Sequence, residues 1–500
     1  MIYRRKKIRV LEAGLDNATT WDEWSETAKK LDHLKSNDVW KADCTSPGYD
    51  QKPIMSQIKQ LREYRQKGEI ETLAYFMSRS LHRYLGDILD SRLYIKSRTG
   101  TKDLTETYFS EIEASLEYIC ETKKHDFPLM EKIRFLEQAS LNFGRSALML
   151  SGGATLGLFH LGVVKALLSR SILPGIISGS STGSIVAAIV CTRTDKELVD
   201  VFSKPYRGHA RVWRRFGLFD IIKNKAVMNP DQLLENIRAN IGDFTFEEAF
   251  DRTGKILNIA VSPARARQKP RALNYLTAPQ VLISSAVQAS CSVPGLFPPA
   301  TLLAKNRLGS TVRYMPREKW VDGTIYNDLP MMELSRLHNV SHYIVSQTNP
   351  HVLPFVRART RHGSLAFAAD MVSSMILSQF TGITDAIRTR VHSDTFRPML
   401  DLIHAVAHQK YTGDITISPD FKTTAYFKLV SNPSYKDIRQ FILKGERATW
   451  PKIALIGNHI RTSRAFEQAL QKMKQRMHMS GYDFTRLTSR FNLLSHFAGS

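Results

Sequence analysis

Two strand–turn–helix steps in close succession constrain this chain more than any other feature. Ala147-Leu148-Met149-Leu150 is a short apolar run ended by Ser151-Gly152-Gly153. A helical pattern follows, with Leu158, Leu161, Val164, Leu167 and Leu168 at helical spacing. Gly175-Ile176-Ile177 then leads into Gly179-Ser180-Ser181-Thr182-Gly183 and a second helical run at Ser184–Cys191. Ile256–Val261 and His342–Gln347 are further strand candidates. Short apolar strands alternating with helices bury both faces of a parallel sheet, so the fold class is α/β with three layers. The stretch Ala147–Leu168 approaches the length of a membrane span. His160, Lys165 and its glycine breaks exclude that reading.

The flanks read differently. Helical patterns are expected at Trp21–Leu34, where Thr19 or Thr20 can cap the start, and at about Ile54–Ser97 and Leu104–Thr122. Asp126-Phe127-Pro128 opens another that runs through about Leu141. Beyond about Pro354 helices are expected at Ser364–Phe380, Asp394–His408 and Asn458–Met479, with a hairpin or strand pair near Ile415-Thr416-Ile417. The expected organisation is an N-terminal helical region at 1–145, an α/β domain at 146–350 and a basic helical extension at 351–500. The first residues are basic and lack the apolar core of a signal peptide. Cys44, Cys120, Cys191 and Cys291 lie far apart and form no CxxC, which excludes a disulfide framework or a zinc ribbon and fits a reducing, intracellular setting.

The chemistry gathers at the turns. Gly179–Gly183 is a G-x-S-x-G sequence between a strand and a helix, the context of a nucleophile elbow. There the serine occupies a sharp turn, and the flanking glycines let neighbouring chain come close. The helix start at about Thr182 turns backbone N–H groups toward the same spot. The turn Ser151–Gly157 could hold a phosphate, but Ala154 stands where a dinucleotide fingerprint needs glycine, and no G-x-x-x-x-G-K-[ST] pattern is present. Two glycine turns in series, one carrying a serine, fit an oxyanion hole and a nucleophile. Trp320-Val321-Asp322-Gly323 adds an acid at the end of an apolar step. A serine hydroxyl needs a base, either histidine in a triad or a carboxylate acting directly.

These elements, in this order, resemble the patatin-like phospholipases and acyl hydrolases. The glycine turn is similar to that family's oxyanion motif, Gly179–Gly183 to its elbow and Asp322-Gly323 to its Asp-Gly motif. Between them, Ala289-Ser290 through Phe297-Pro298 resembles the family's AS-x-x-P-x-x-F-P segment. Within the family the likeness runs to intracellular fungal and plant seed triacylglycerol lipases, through Leu150–Ala154, the Trp21–Trp40 preface and Asn274–Pro279. It covers roughly residues 15–350 and thins after about 420. The resemblance implies Ser181 as nucleophile and Asp322 as base. It also implies Gly152, Gly153 and Ala154 as oxyanion donors, with Gly157, Gly179, Gly183 and Gly323 as motif glycines. No metal and no cofactor are expected. The implied substrate is triacylglycerol, then glycerophospholipid or lysophospholipid, with acyl transfer chemically equivalent. Ala154 and Leu156 replace the third glycine and the cation that many members carry. Loss of that cation weakens the case for a charged phospholipid head group. Thr324 follows Asp-Gly where Gly or Ala is usual.

Charge sets the remaining alternatives. Lys and Arg number 70 against 47 Asp and Glu, a formal net charge of +23. A polyanionic partner follows, nucleic acid or an anionic lipid surface. The basic residues are dispersed and match no nucleic-acid-binding motif, so no nucleic acid is expected. A Ser-His-Asp hydrolase would need a late histidine such as His404, His408 or His459. A lipid substrate requires work at an interface, with peripheral attachment to a membrane or lipid droplet. Two surfaces are candidates. One is the 458–479 helix, with Phe466, Leu470, Met473 and Met477 in one stripe beside Arg461, Arg464, Lys472, Lys474 and Arg476. That stripe packs equally well as ordinary core. The other is Arg207, Arg211, Arg214 and Arg215, interleaved with Tyr206, Trp213 and Phe216.

Overall fold

The computed structural model describes residues 2–46, 48–123, 127–203, 213–217, 226–265, 268–350, 352, 411–420 and 428–479. The chain divides into two compact units. One comprises the described parts of Met1–Leu15, Ser25–Arg145 and Ala454–Ser500, and the other those of Asp16–Trp24 and Ser146–Ile453. Residues 411–453 group with the sheet, and the chain from Ala454 groups with the N-terminal helices.

A seven-stranded sheet organises the second unit. Its strands are β1 (Arg145–Leu150), β2 (Ile176–Gly179), β3 (Ile256–Pro263), β4 (Arg271–Leu273), β5 (Trp320–Asp322), β6 (Val340–Ser346) and β7 (Ile415–Ile417). They lie in the order β4-β3-β2-β1-β6-β7, and β5 pairs with the end of β3. β1 and β2, β2 and β3, and β6 and β7 run parallel. β4 and β5 run antiparallel to β3, with Asp322 opposite Val261. Every residue of β2 and β3 is buried, as a sheet covered on both faces demands. Ala147, Met149, Ile176, Ile256, Val340 and Val345 form a core with Leu329 and Leu334 from the chain after β5. This mostly parallel α/β sheet flanked by helices is the class expected from the turns.

Close helix packing supports the segment behind the first glycine turn. The helix Phe159–Ser169 crosses the helix Tyr435–Thr449 at paired glycines. A Cβ on Gly162 would run into the Ile442 carbonyl, and one on Gly445 would meet the Gly162 Cα at 2.9 Å. Lys165 and Glu446 pair beside the crossing at 2.9 Å.

Several sequence expectations change in detail. The helix Trp21–Leu34 starts where expected, with the Glu23 N–H donating to Thr20 Oγ1. The long pattern at 54–97 breaks into helices Gln51–Lys67 and Ile70–Ser80, followed by short 3₁₀ turns. Gly68, at φ 71°, terminates the first of these helices. Ile415–Ile417 pairs parallel with β6, and among the described residues no second strand near it forms a hairpin. The expected helices at 364–380 and 394–408 lie outside the described residues. The last helix runs Ile453–Met479. Its stripe is core, with Phe466, Met473 and Met477 buried in the helical unit. Four of its five cations named above face acids of the same unit: Arg461 pairs with Glu113, Lys472 and Arg476 with Glu121, and Lys474 with Glu137. This helix is therefore not a free lipid-binding face. Among the described residues no helix is long and apolar enough to cross a membrane.

Candidate active site

Ser181 sits at the tip of the second turn. β2 ends at Gly179 and the next helix begins at Thr182. Ser181 has φ 51° and ψ −125°, a conformation side chains rarely adopt, and such strain gathers at functional turns. The turn stays sharp because its glycines press on backbone. A Cβ on Gly179 would meet the Gly183 carbonyl carbon at 2.5 Å, and one on Gly183 would meet the Leu150 carbonyl carbon at 2.6 Å. The Ser181 N–H donates to Ser290 Oγ at 2.9 Å, and Ser290 Oγ donates to the Ala260 carbonyl at 2.7 Å. The segment around Ala289-Ser290 thus anchors the strained serine.

Asp322 ends β5 and is fully buried. Its N–H donates to the Ser292 carbonyl at 3.0 Å, and the Thr324 N–H donates to its Oδ1 at 2.8 Å. Burial pushes its carboxyl up to about 6, against the Thr324 N–H and the nearby Ser181 hydroxyl, which favour the charged form. Among the described residues, none donates to Oδ2 with good hydrogen-bond geometry.

The first turn brings its backbone to the same place. Ser151 N–H donates to the Ser346 carbonyl at 3.1 Å and Thr155 N–H to the Leu429 carbonyl at 3.2 Å. Between them, Gly152 N–H donates to Asp328 Oδ1 at 3.0 Å. The Gly152 N–H, expected as an oxyanion donor, is thus engaged by a carboxylate in this structure. Among the described residues, the N–H groups of Gly153 and Ala154 donate to no protein acceptor. The left-handed residue is Ala154, at φ 48°, where the family resemblance would put glycine. Gly153 is extended, at φ 164°. A buried polar cluster fixes the turn from behind. His160 Nε2 lies 2.9 Å from the Ser151 carbonyl, its Nδ1 lies 2.7 Å from Ser346 Oγ, and Thr348 Oγ1 donates to the Gly152 carbonyl at 2.9 Å. Burial drops the His160 imidazole to about 4, so it is neutral.

Gly153→Val tests this turn. A Cβ there would meet Thr348 Cβ at 2.9 Å and the Thr348 carbonyl at 3.0 Å, so the turn must shift. Displacing one oxyanion donor costs roughly 100-fold in turnover. The expected outcome is a folded protein whose kcat falls by about that factor; a folded variant with normal kcat would remove the turn from the site.

Ser181, Asp322, Gly152, Gly153 and Ala154 line one cavity of about 270 Å³. Leu158, Leu161, Ile185, Val186, Ile189 and Phe297 make much of its wall, and Asp322 is the only charged residue among its described lining. Gly157 and Gly323 pack behind it. A Cβ on Gly157 would meet Thr182 Cγ2 at 2.6 Å, and one on Gly323 would meet the Ala260 carbonyl carbon at 2.5 Å. Cys291 also lines the cavity, but burial beside Asp322 raises its thiol far above neutrality. Trp213 stacks on Phe297 and its indole donates to Thr155 Oγ1 at 3.2 Å, which puts this member of the second basic cluster at the cavity wall. Arg207 and Arg211 lie outside the described residues, as do His404 and His408. His459 belongs to the helical unit, where burial and the nearby Arg83 drop its imidazole to about 3. Among the described residues no cluster of ligands suits a metal ion.

Sequence reasoning missed Asp328, Asn349, Thr348 and the supporting role of His160. Their partners come from strands distant in sequence, so no local spacing marks them. Asp328 left one faint trace, a second acid in the segment that follows Asp322.

Residues 148–335 match the family described as patatin-like phospholipase, and residues 1–141 match a domain of unknown function, DUF3336. The chain is 36% identical to triacylglycerol lipase SDP1L of Arabidopsis thaliana, over 91% of this chain and 57% of that one. It is 35% identical to triacylglycerol lipase 4 of Saccharomyces cerevisiae, over 92% of this chain and 53% of that one. It is 32% identical to triacylglycerol lipase ptl3 of Schizosaccharomyces pombe, over 90% of this chain and 94% of that one. The chain thus spans little more than half the length of the first two relatives and nearly all of the third. Among solved structures, that of VipD from Legionella pneumophila aligns at a TM-score of 0.30 and 15% identity, covering 66% of this chain and 67% of that one, too loosely to bear on the fold. With identity above 30% across nine-tenths of a whole relative, and four ordered motifs meeting at one cavity, the chain belongs to the patatin-like phospholipase family.

Proposed function

We propose that the chain is a serine acyl hydrolase that cleaves carboxylic esters of lipids, triacylglycerol first, by a Ser181–Asp322 dyad. The observation that carries this reading is the strained Ser181 and the fully buried Asp322 carboxyl lining one cavity, with the Ser181 hydroxyl near enough to favour the ionised carboxylate. Asp322 accepts the Ser181 proton as Oγ attacks the acyl carbonyl. The N–H groups of Gly153 and Ala154 receive the developing oxyanion. Protonated Asp322 returns its proton to the leaving alcohol, and an acyl-enzyme remains. Water, activated by the same carboxylate, then releases the fatty acid. Apart from Asp322, the described cavity wall carries no charge, which supports an ester without a charged head group, and the names of the lipase relatives point the same way. Such a substrate lies at a lipid–water interface, and a net charge of +23 favours an anionic surface.

The mechanism has a pH signature. Asp322 works only when ionised, and burial raises its pKa to about 6 and that of neighbouring Asp328 to about 7. The Asp322 charge adds to the rise at Asp328. On a soluble short-chain ester, kcat/KM is expected to rise as pH increases through 6 to 7 and then to level off. A rate that falls with rising pH over that window would contradict a carboxylate base. A panel of triacylglycerol, diacylglycerol, phosphatidylcholine and lysolipid, with Ser181→Ala as control, tests the substrate class. Triacylglycerol is expected to turn over fastest, and a phospholipid-only profile would overturn that assignment.

A further inference from the structure

Asp328 is buried, takes no part in the proposed bond-breaking step, and yet joins three segments of the site. Its Oδ1 accepts the Gly152 N–H at 3.0 Å. Its Oδ2 accepts from Asn349 Nδ2, on the chain that follows β6. Its backbone carbonyl accepts from Ser180 Oγ at 2.7 Å, the residue beside the nucleophile. Oxyanion turn, elbow and acid loop therefore meet at one residue. Gly152 is the hinge of this arrangement, because the two N–H groups without protein acceptors belong to the next two residues.

We infer that Asp328 is a positioning residue, whose carboxylate holds the Gly152 N–H and so aims the Gly153 and Ala154 N–H groups at the oxyanion formed beside Ser181. The inference rests on the acyl-hydrolase reading of the site. Asp328 touches neither substrate nor the reacting atoms. Releasing the Gly152 N–H lets the turn rotate, and a donor 1 Å out of place loses its value in the transition state while the acyl chain still binds in the cavity. The effect therefore falls on kcat and spares KM. An asparagine keeps an Oδ1 for the Gly152 N–H and restores what an alanine loses.

The test uses the full chain, a soluble short-chain ester, and circular dichroism to verify folding. Asp328→Ala is expected to lower kcat roughly 100-fold, the scale of one lost oxyanion donor, with KM changed less than about threefold. Asp328→Asn is expected to recover at least about tenfold of that loss. Equal losses in the two variants, or a loss confined to KM, would overturn the inference. Should Asp328→Ala fail to fold, Asn349→Ala, which removes one donor to Oδ2, is expected to lower kcat about tenfold at unchanged KM, and normal kcat there would overturn it. Ser181→Ala separates the two claims. Activity surviving in Ser181→Ala sinks the acyl-hydrolase reading, whereas its loss beside a fully active Asp328→Ala sinks only the role of Asp328.

Discussion

Ser181→Ala is expected to lower ester hydrolysis by on the order of 10⁴-fold or more while leaving the chain folded. The change deletes one hydroxyl. It leaves the Ser181 N–H bonded to Ser290 Oγ and leaves the glycines that shape the turn. Alanine also has to adopt φ 51°, as serine does, so strain differs little between the two proteins. Thermal unfolding of the variant should therefore match the wild type. Neither Cys291 nor Ser184 can substitute. Burial holds the Cys291 thiol protonated, and the Ser184 hydroxyl is spent on the Ser181 carbonyl at 2.6 Å. Retention of more than a few per cent of activity, measured as fatty acid released, would remove Ser181 from the mechanism.

Asp322→Asn is expected to cost roughly 10³- to 10⁴-fold in kcat and, at the same time, to stabilise the fold. The base disappears, and no histidine among the described residues contacts Ser181 to replace it. Stability moves the other way because burial raises the folded-state pKa of Asp322 from 3.8 to about 6. An acid raised in this way keeps its proton in the folded chain after the unfolded chain has lost it. Stability is therefore full below about pH 4 and is lost as pH rises through about 6. At pH 8 the deficit is on the order of 3 kcal/mol, from about two pKa units at 1.36 kcal/mol each. Asparagine escapes it. Melting temperatures should coincide at pH 4 and separate by a few degrees at pH 8, with the variant higher. A variant less stable at pH 8, or one with near-normal turnover, would show that Asp322 is not an ionised base in a dry site.

The parts of this site that were legible in the sequence are the local ones. A glycine turn between an apolar strand and a helix is encoded within a few residues, so Gly152–Ala154, Gly179–Gly183 and Asp322-Gly323 announced themselves. The central strands were legible for the same reason, as short apolar runs with no polar face. What stayed hidden depends on tertiary pairing. Asp328 reaches Gly152 only because β5 folds back against β3 and the loop beyond it crosses under the first turn. His160 reads as one polar residue in an apolar helix, and its partners Ser151, Ser346 and Thr348 come from the ends of β1 and β6. The last helix shows the reverse problem. Its apolar stripe and its cations were plain in the sequence, but Glu113, Glu121 and Glu137, which neutralise those cations, lie on other helices.

The most direct test of the central claim is covalent labelling of the purified chain with a fluorophosphonate, read by intact mass and peptide mapping. The account predicts one adduct per chain, on Ser181, absent in Ser181→Ala and slowed in Asp322→Asn. It also predicts loss of lipid-ester hydrolysis in step with labelling. An adduct on another residue, or full hydrolysis by a chain that takes no label at Ser181, would contradict it.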